Sequence, residues 1–251
     1  MRFDEIMRNG EEIQMERPIV QFQQVTKKYP GTEALKDATF DLPRGKIIGI
    51  VGPNGSGKST SLKLMAGLLQ PDRGTVFVDG EKVNRLIARK VAFLHETDQL
   101  YGFYKVRDII DYYSNIYEDF DKGKAREMLQ FLQLDPAQKI GSLSKGNRMR
   151  VKLVLVLSRN APLLLLDEPL SGLDPMVRES IIKGLISFLD MKQQTVVLTT
   201  HEVDEVEPLL DIVAALKDGT VYKVEEADVI RSEYGMSLIN WMKQVYALHR
   251  H

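Results

Sequence analysis

Three sets of residues in this chain have the types and spacing to act on a phosphate. Residues 52–60 read G-P-N-G-S-G-K-S-T and fit the pattern G-x-x-x-x-G-K-[ST]. Glycines spaced this way let the backbone curl until successive N–H groups point inward and cradle phosphate oxygens. Lys58 can then reach the β/γ-phosphates of a nucleoside triphosphate, and the Ser59 hydroxyl can ligate Mg²⁺. The expected binding residues of the loop are Asn54, Gly55, Ser56, Gly57, Lys58, Ser59 and Thr60. The second set is Asp167-Glu168, which ends the apolar run Leu163 to Leu166. Asp167 suits Mg²⁺, directly or through water, and Glu168 is placed to polarise a water for attack on the γ-phosphate. The third is His201, a titratable ring just beyond the apolar run Thr195 to Leu198.

Such groups work together only if the fold gathers them. The run Ile47 to Val51 leads into the loop, and a helix-like stretch, Ser61 to Leu69, follows it. Val91 to Leu94 is a further continuous apolar run and ends at His95-Glu96. Runs of this kind suit parallel strands buried on both faces, whose carboxyl ends collect ligands in open α/β sheets. Ile19 to Val25, Ala38 to Leu42 and Thr75 to Val78 are further β-rich runs, separated by turns such as Pro43-Arg44-Gly45 and Asp79-Gly80. From about residue 99 to 160 the pattern shifts to helical period, with Val106, Ile109, Ile110 and Tyr113 on one face and Ala125, Met128, Leu129 and Leu132 on another. That stretch reads as a helical lobe inserted into the sheet domain. Asp135-Pro136 and Asp174-Pro175 each have the form of an N-cap followed by proline at the first helical position. The second opens a helix with Ile181, Ile182, Leu185, Ile186 and Leu189 on its apolar side, and residues 237–251 form an amphipathic tail helix.

Composition narrows the class. The 251 residues suit one large α/β domain or one domain with an inserted lobe, preceded by a polar extension over residues 1–17. Net charge is -1, so no basic field points to nucleic acid. Cysteine is absent, which removes disulfides and thiolate metal sites and fits a reducing cytoplasm. No apolar run approaches the roughly 18 residues of a membrane span, so a membrane link must come through a partner.

The order of motifs resembles the ATPase cassette of ABC transporters over residues 18 to about 229. The markers are Tyr29, the phosphate loop, L-S-K-G-N at 143–147, L-L-L-L-D-E-P at 163–169, S-G-L-D at 171–174, and His201. The resemblance implies an α/β fold: a P-loop NTPase (RecA-like) core with an N-terminal antiparallel β subdomain and an inserted α-helical subdomain. It implies ATP and Mg²⁺, and two cassettes paired head to tail around two ATP molecules. Tyr29 corresponds to the aromatic that stacks on adenine. Ser144 and Gly146 correspond to the signature that meets the other subunit's γ-phosphate. Asp174 corresponds to the aspartate that communicates across the dimer, and His201 to the switch histidine. By this resemblance Glu168, His201 and Lys58 are the expected catalytic residues. Ser59, Asp167 and Glu96 are the expected metal ligands.

The chain departs from the family pattern at two places. Its signature has Lys145 and Asn147 where the family has glycine and glutamine. With Arg148, Arg150 and Lys152, Lys145 makes this helix start basic, which favours an anion there or simply a solvated face. Past the strand ending at Leu94 the family has glutamine; Glu96 takes that place here, with Gln99 as a second candidate. Of the aromatics between 101 and 120, Tyr101, Phe103 and Tyr104 lie in a loop that in the family receives a helix of the membrane subunit. The S-K-G-N-R-M-R and I-Y-E-D-F-D stretches look like cassettes of peptide, bacteriocin or drug exporters, including the phenol-soluble-modulin type. The expectation is therefore an ATPase at the cytoplasmic face of the membrane, held there by a transmembrane permease and paired with a second cassette. The alternatives are a non-transport cassette protein and a nucleotide-dependent regulator.

Overall fold

The computed structural model describes residues 17–97 and 100–248. Gln99, most of the N-terminal extension and residues 249–251 lie outside the described residues. Two sheets carry the architecture. The first is antiparallel: β1 (Val20–Tyr29), β2 (Thr32–Leu42), β4 (Arg73–Val78) and the short β5 (Glu81–Lys82), in the order β2-β1-β4-β5. The second contains β3 (Ile47–Val51), β6 (Val91–Leu94), β7 (Leu163–Asp167), β8 (Thr195–Thr200), β9 (Ile212–Lys217) and β10 (Thr220–Glu226), in the order β10-β9-β3-β8-β7-β6. Its strands are parallel except β10, which pairs antiparallel with β9.

Burial explains why the central strands are uninterrupted apolar runs. Leu163 and Leu165 of β7 enter a core shared with Phe22, Leu35 and Phe40 of the antiparallel sheet and with Leu62 and Met65 of α1 (Lys58–Met65). Their neighbours Leu164 and Leu166 enter the opposite core, under the helices. A strand covered on both faces needs apolar side chains at both parities. Polar residues are therefore confined to the strand ends.

The helices of the second core are α2 (Val106–Ile116), α3 (Lys122–Phe131), α4 (Lys145–Leu157), α5 (Pro175–Phe188), the single turn α6 (Val203–Val206), α7 (Ala227–Ser232) and α8 (Leu238–Leu248). Side-chain caps fix the starts of α3, α4 and α5. Asp121 accepts from Lys124 N at 2.9 Å, Ser144 from Asn147 N at 3.2 Å, and Asp174 from Val177 N at 3.0 Å. Each such cap stabilises its helix by about 1 kcal/mol. Helix α8 is held by Leu238, Trp241 and Val245, all buried in the core that the lobe shares.

Four expectations need correction. Asp135-Pro136 opens no helix. The Asp135 carboxylate accepts from Ala137 N at 2.8 Å, closing a turn, and the next residues run on to a bridge between Lys139 and Lys105. The same cap chemistry serves a turn when no apolar face follows it. Helix α1 starts three residues earlier than its apolar pattern, at Lys58, and stops at Met65. The helical run that the sequence places at Asn147 to Ser158 likewise starts earlier, as α4 at Lys145. Ile186 of α5 is 62% exposed, while Ile181 and Leu185 of the same stripe are buried.

Candidate nucleotide site

The carboxyl ends of β3, β8, β7 and β6 lie side by side because these strands are consecutive in the sheet. A cleft of about 630 Å³ opens over them. Asn54, Gly55, Gly57, Lys58, Ser59 and Thr60 line its floor. Tyr29, with 42% of its surface exposed, stands beside it at the end of β1, with Ala34 of β2. Glu96, Glu168, Ser171 and His201 complete the wall. Gly57 takes φ +108°, and a Cβ there would lie 2.3 Å from the Ala34 carbonyl oxygen, so only glycine fits. No side chain caps α1 at Gly57. The unpaired N–H groups of its first turn, with the positive end of the helix dipole, form an anion site at the cleft floor.

The charged groups are already joined. Lys58 Nζ donates to the carbonyls of Gly52 at 2.9 Å and Pro53 at 3.2 Å, and stands 3.6 Å from Glu168 Oε1. Burial holds the Lys58 pKa below the usual lysine range, and the attraction of Glu168 opposes that shift without cancelling it. His201 Nδ1 lies 2.9 Å from Glu168 Oε2. Ser59 Oγ donates to Asp167 Oδ1 at 2.8 Å, and Thr199 Oγ1 donates to the same oxygen at 2.8 Å. Thr199 Oγ1 also accepts from Glu168 N at 3.0 Å, so one hydroxyl ties both acids to β8. Glu168 sits at φ +48°, in the left-handed region that a side-chain-bearing residue rarely enters.

Among the expected residues, Lys58, Ser59, Asp167, Glu168 and His201 come together, and Glu96 lines the same cleft. Ser56 does not line the cleft: it is buried, and its hydroxyl has no hydrogen-bond partner. Ser144, Gly146 and Asp174 lie outside the lining and belong to a second face. There Gly146 packs so close to α5 that a Cβ would come 2.8 Å from Val177 Cγ2. Lys145 Nζ donates to the carbonyls of Ser171 and Gly172, each at 3.3 Å. Several cations of this helix start are engaged within the fold. Arg150 binds Ser180 and Asn147, and Lys152 is buried against the carbonyls of residues 95–97. Thr199 and Ala34 were not singled out by the sequence, although Thr199 does stand at a strand end, where polar residues collect, and Ser171 opens the S-G-L-D marker without a role of its own there. Tyr101 and Phe103 are 65% and 70% exposed and stack at 5.6 Å, with Tyr104 against Phe103 at 4.5 Å. Phe120 is buried in the lobe, and Tyr117 lies under the Arg159 guanidinium at 3.8 Å.

Mg²⁺ suits the donors present. Among the described residues no three His, Cys, Asp or Glu side chains converge as a dedicated metal cage. The cleft lining offers the Ser59 hydroxyl and the Glu96 carboxylate, and the buried Asp167 carboxylate is bonded to Ser59 beside them. Few, hard oxygen donors fit an ion that keeps waters and binds chiefly through substrate phosphates.

Comparison with known proteins agrees with this geometry. The sequence model of the ABC transporter family matches residues 35–171, more than half of the chain. The Nod factor export ATP-binding protein I of Burkholderia thailandensis is 32% identical over 231 residues, covering 88% of this chain and 75% of that protein. The aliphatic sulfonates import ATP-binding protein of Bacillus thuringiensis subsp. konkukian is 30% identical over 204 residues, covering 79% and 81%. A dimeric ATP-binding cassette in a post-hydrolysis state with ADP and Pi superposes with a TM-score of 0.73 at 29% identity, covering 83% of this chain and 98% of that one. The α/β architecture, the phosphate loop and these matches together make the chain a member of the ABC transporter family, an ATP-binding and ATP-hydrolysing transporter subunit.

Proposed function

We propose that this subunit drives export of a peptide, toxin or drug through a separate membrane protein, with ATP in the cleft and a second cassette closing over it. The observation that carries the reading is the Lys58–Glu168–His201 array at the foot of a cleft walled by Tyr29. In this reading Tyr29 stacks on the adenine, and the loop N–H groups hold the phosphates. Lys58 exchanges its two carbonyl partners for the β/γ-phosphates. Glu168 takes the proton of the attacking water, and His201 fixes the carboxylate through Nδ1 while its ring meets the γ-phosphate. Bound Mg²⁺ supplies charge neutralisation on the phosphates, and Ser59, Asp167 and Glu96 are the residues that hold it. Ser144 and Gly146, absent from this cleft, serve the ATP of the second cassette, and Asp174 relays closure between the two.

In the same reading residues 18–230 are the cassette, the lobe spans about 99–160, and the tail from 231 packs onto it. The exposed Tyr101, Phe103 and Tyr104 anchor a helix of the membrane subunit, which holds the protein at the cytoplasmic face. Export is favoured by the signature region and by the similarity to a Nod factor export protein. Similarity to a sulfonate import protein leaves import as the competing direction. The test is co-purification with its membrane partner, followed by reconstitution in inside-out vesicles. ATP-dependent accumulation of cargo inside them is the expected result. ATP-dependent loss of cargo reverses the direction, and failure to retain any membrane protein removes the transport role.

A further inference from the structure

The interior of α4 carries a lysine where its neighbours are apolar. Lys152 is only 9% exposed and lies between Val151 and Leu153, both fully buried. An ammonium on a buried helix face is costly unless its donors are met. They are met by the backbone that follows β6: Lys152 Nζ donates to the carbonyls of His95, of Glu96 at 3.3 Å and of Thr97 at 3.1 Å. Three consecutive carbonyls turn toward one ammonium. They also dictate the path of that segment, whose middle residue is Glu96, a wall residue of the nucleotide cleft. At its other end α4 begins at the Ser144 cap, eight residues and about 12 Å away along the helix.

We propose that Lys152 is a positioning residue for Glu96: it clasps the loop after β6 to the helix that carries the signature, and so sets where the Glu96 carboxylate stands in the cleft. The inference rests on the reading of Glu96 as a Mg²⁺-holding residue. A clasp of this kind acts through the backbone rather than on the nucleotide. Its loss should therefore change metal-dependent binding and leave metal-free binding alone. It also makes α4 and the Glu96 loop one mechanical piece, so a shift of the signature helix is felt at the metal position of the same subunit.

The test compares Lys152→Met, Lys152→Arg and Glu96→Gln with the wild type in the full chain. Affinity for a fluorescent ATP analogue is measured in Mg²⁺ and in EDTA, and amide exchange is followed over residues 95–97. The expected result is a Mg²⁺ enhancement of binding reduced about tenfold in Lys152→Met and in Glu96→Gln, the lower end of what supporting residues contribute to metal sites. In Lys152→Met the EDTA affinity stays unchanged and exchange at 95–97 quickens, as it does in no other variant, and Lys152→Arg recovers most of the enhancement. An unchanged enhancement in Lys152→Met beside a reduced one in Glu96→Gln overturns the clasp and leaves the metal role of Glu96 standing. An unchanged enhancement in Glu96→Gln overturns both. Should Lys152→Met fail to fold, Lys152→Gln is read in the same way. Loss of EDTA affinity in a folded variant marks a general collapse and also overturns the clasp.

Discussion

The cleft face and the signature face are built by opposite rules. On the cleft face the functional groups are bonded to one another: Lys58 to Glu168, Glu168 to His201, Ser59 and Thr199 to Asp167. On the signature face the polar groups cap helices and tie neighbouring elements together. Ser144 caps α4, Asp174 caps α5, and Lys145 ties the two loops together through Ser171 and Gly172. The first face is a preorganised charge array that substrate must enter and partly take over. The second is a rigid helix start whose Ser144 and Gly146 do not line the cleft of their own subunit. In the function proposed above, a chain containing one of each completes its site only when two cassettes meet.

Substitutions that separate binding from turnover test this contrast, and the largest effect belongs to the cleft. Glu168→Gln should lower steady-state hydrolysis by about 10²–10⁴-fold, the range of a general base, while ATP and Mg²⁺ convert the protein to a dimer on size-exclusion chromatography. A dimer that never appears would break the two-copy reading. Lys58→Ala should weaken ATP binding itself by about 10–100-fold, the worth of charge-assisted hydrogen bonds, as read by titration calorimetry. Ser144→Ala should lower turnover by about tenfold and cost about 1 kcal/mol of helix stability in urea melts, yet leave ATP affinity of the monomer unchanged. An equal loss of monomer affinity would erase the distinction between the faces. Tyr29→Ala should weaken ATP by only several-fold, at the low end of about 1–3 kcal/mol for base–aromatic stacking, and Tyr29→Trp should preserve it.

The sequence showed the cleft face well because its groups sit at strand ends. An apolar run covered on both faces leaves its polar residues nowhere else to go, so Asp167, Glu168 and His201 could be placed on one edge before any coordinates. It showed long-range side-chain pairing poorly. Lys152 reads as one more cation on a basic helix, since nothing local reveals that three carbonyls some 56 residues away wait for it. Asp135 and Asp174 are the same cap-proline signal, and only the second is followed by a stripe that the core accepts. Even there the stripe overreached: Ile186 matches the period of Ile181 and Leu185 but faces solvent. Periodicity states which face can be buried, while the neighbouring elements decide how much of it is.

Helix α8 lies beyond the 35–171 stretch that defines the family, yet the Tyr246 hydroxyl reaches the carbonyls of Val51 at 3.4 Å and Leu216 at 3.2 Å. Val51 immediately precedes the phosphate loop. The same helix carries Trp241, the single tryptophan of the chain, 2% exposed. Its emission should therefore be blue-shifted in the native state and report one event, the seating of the last helix against the strand that bears the loop. The protein thus has an intrinsic optical probe at the edge of its catalytic strand, readable without a label or a second tryptophan to confound it.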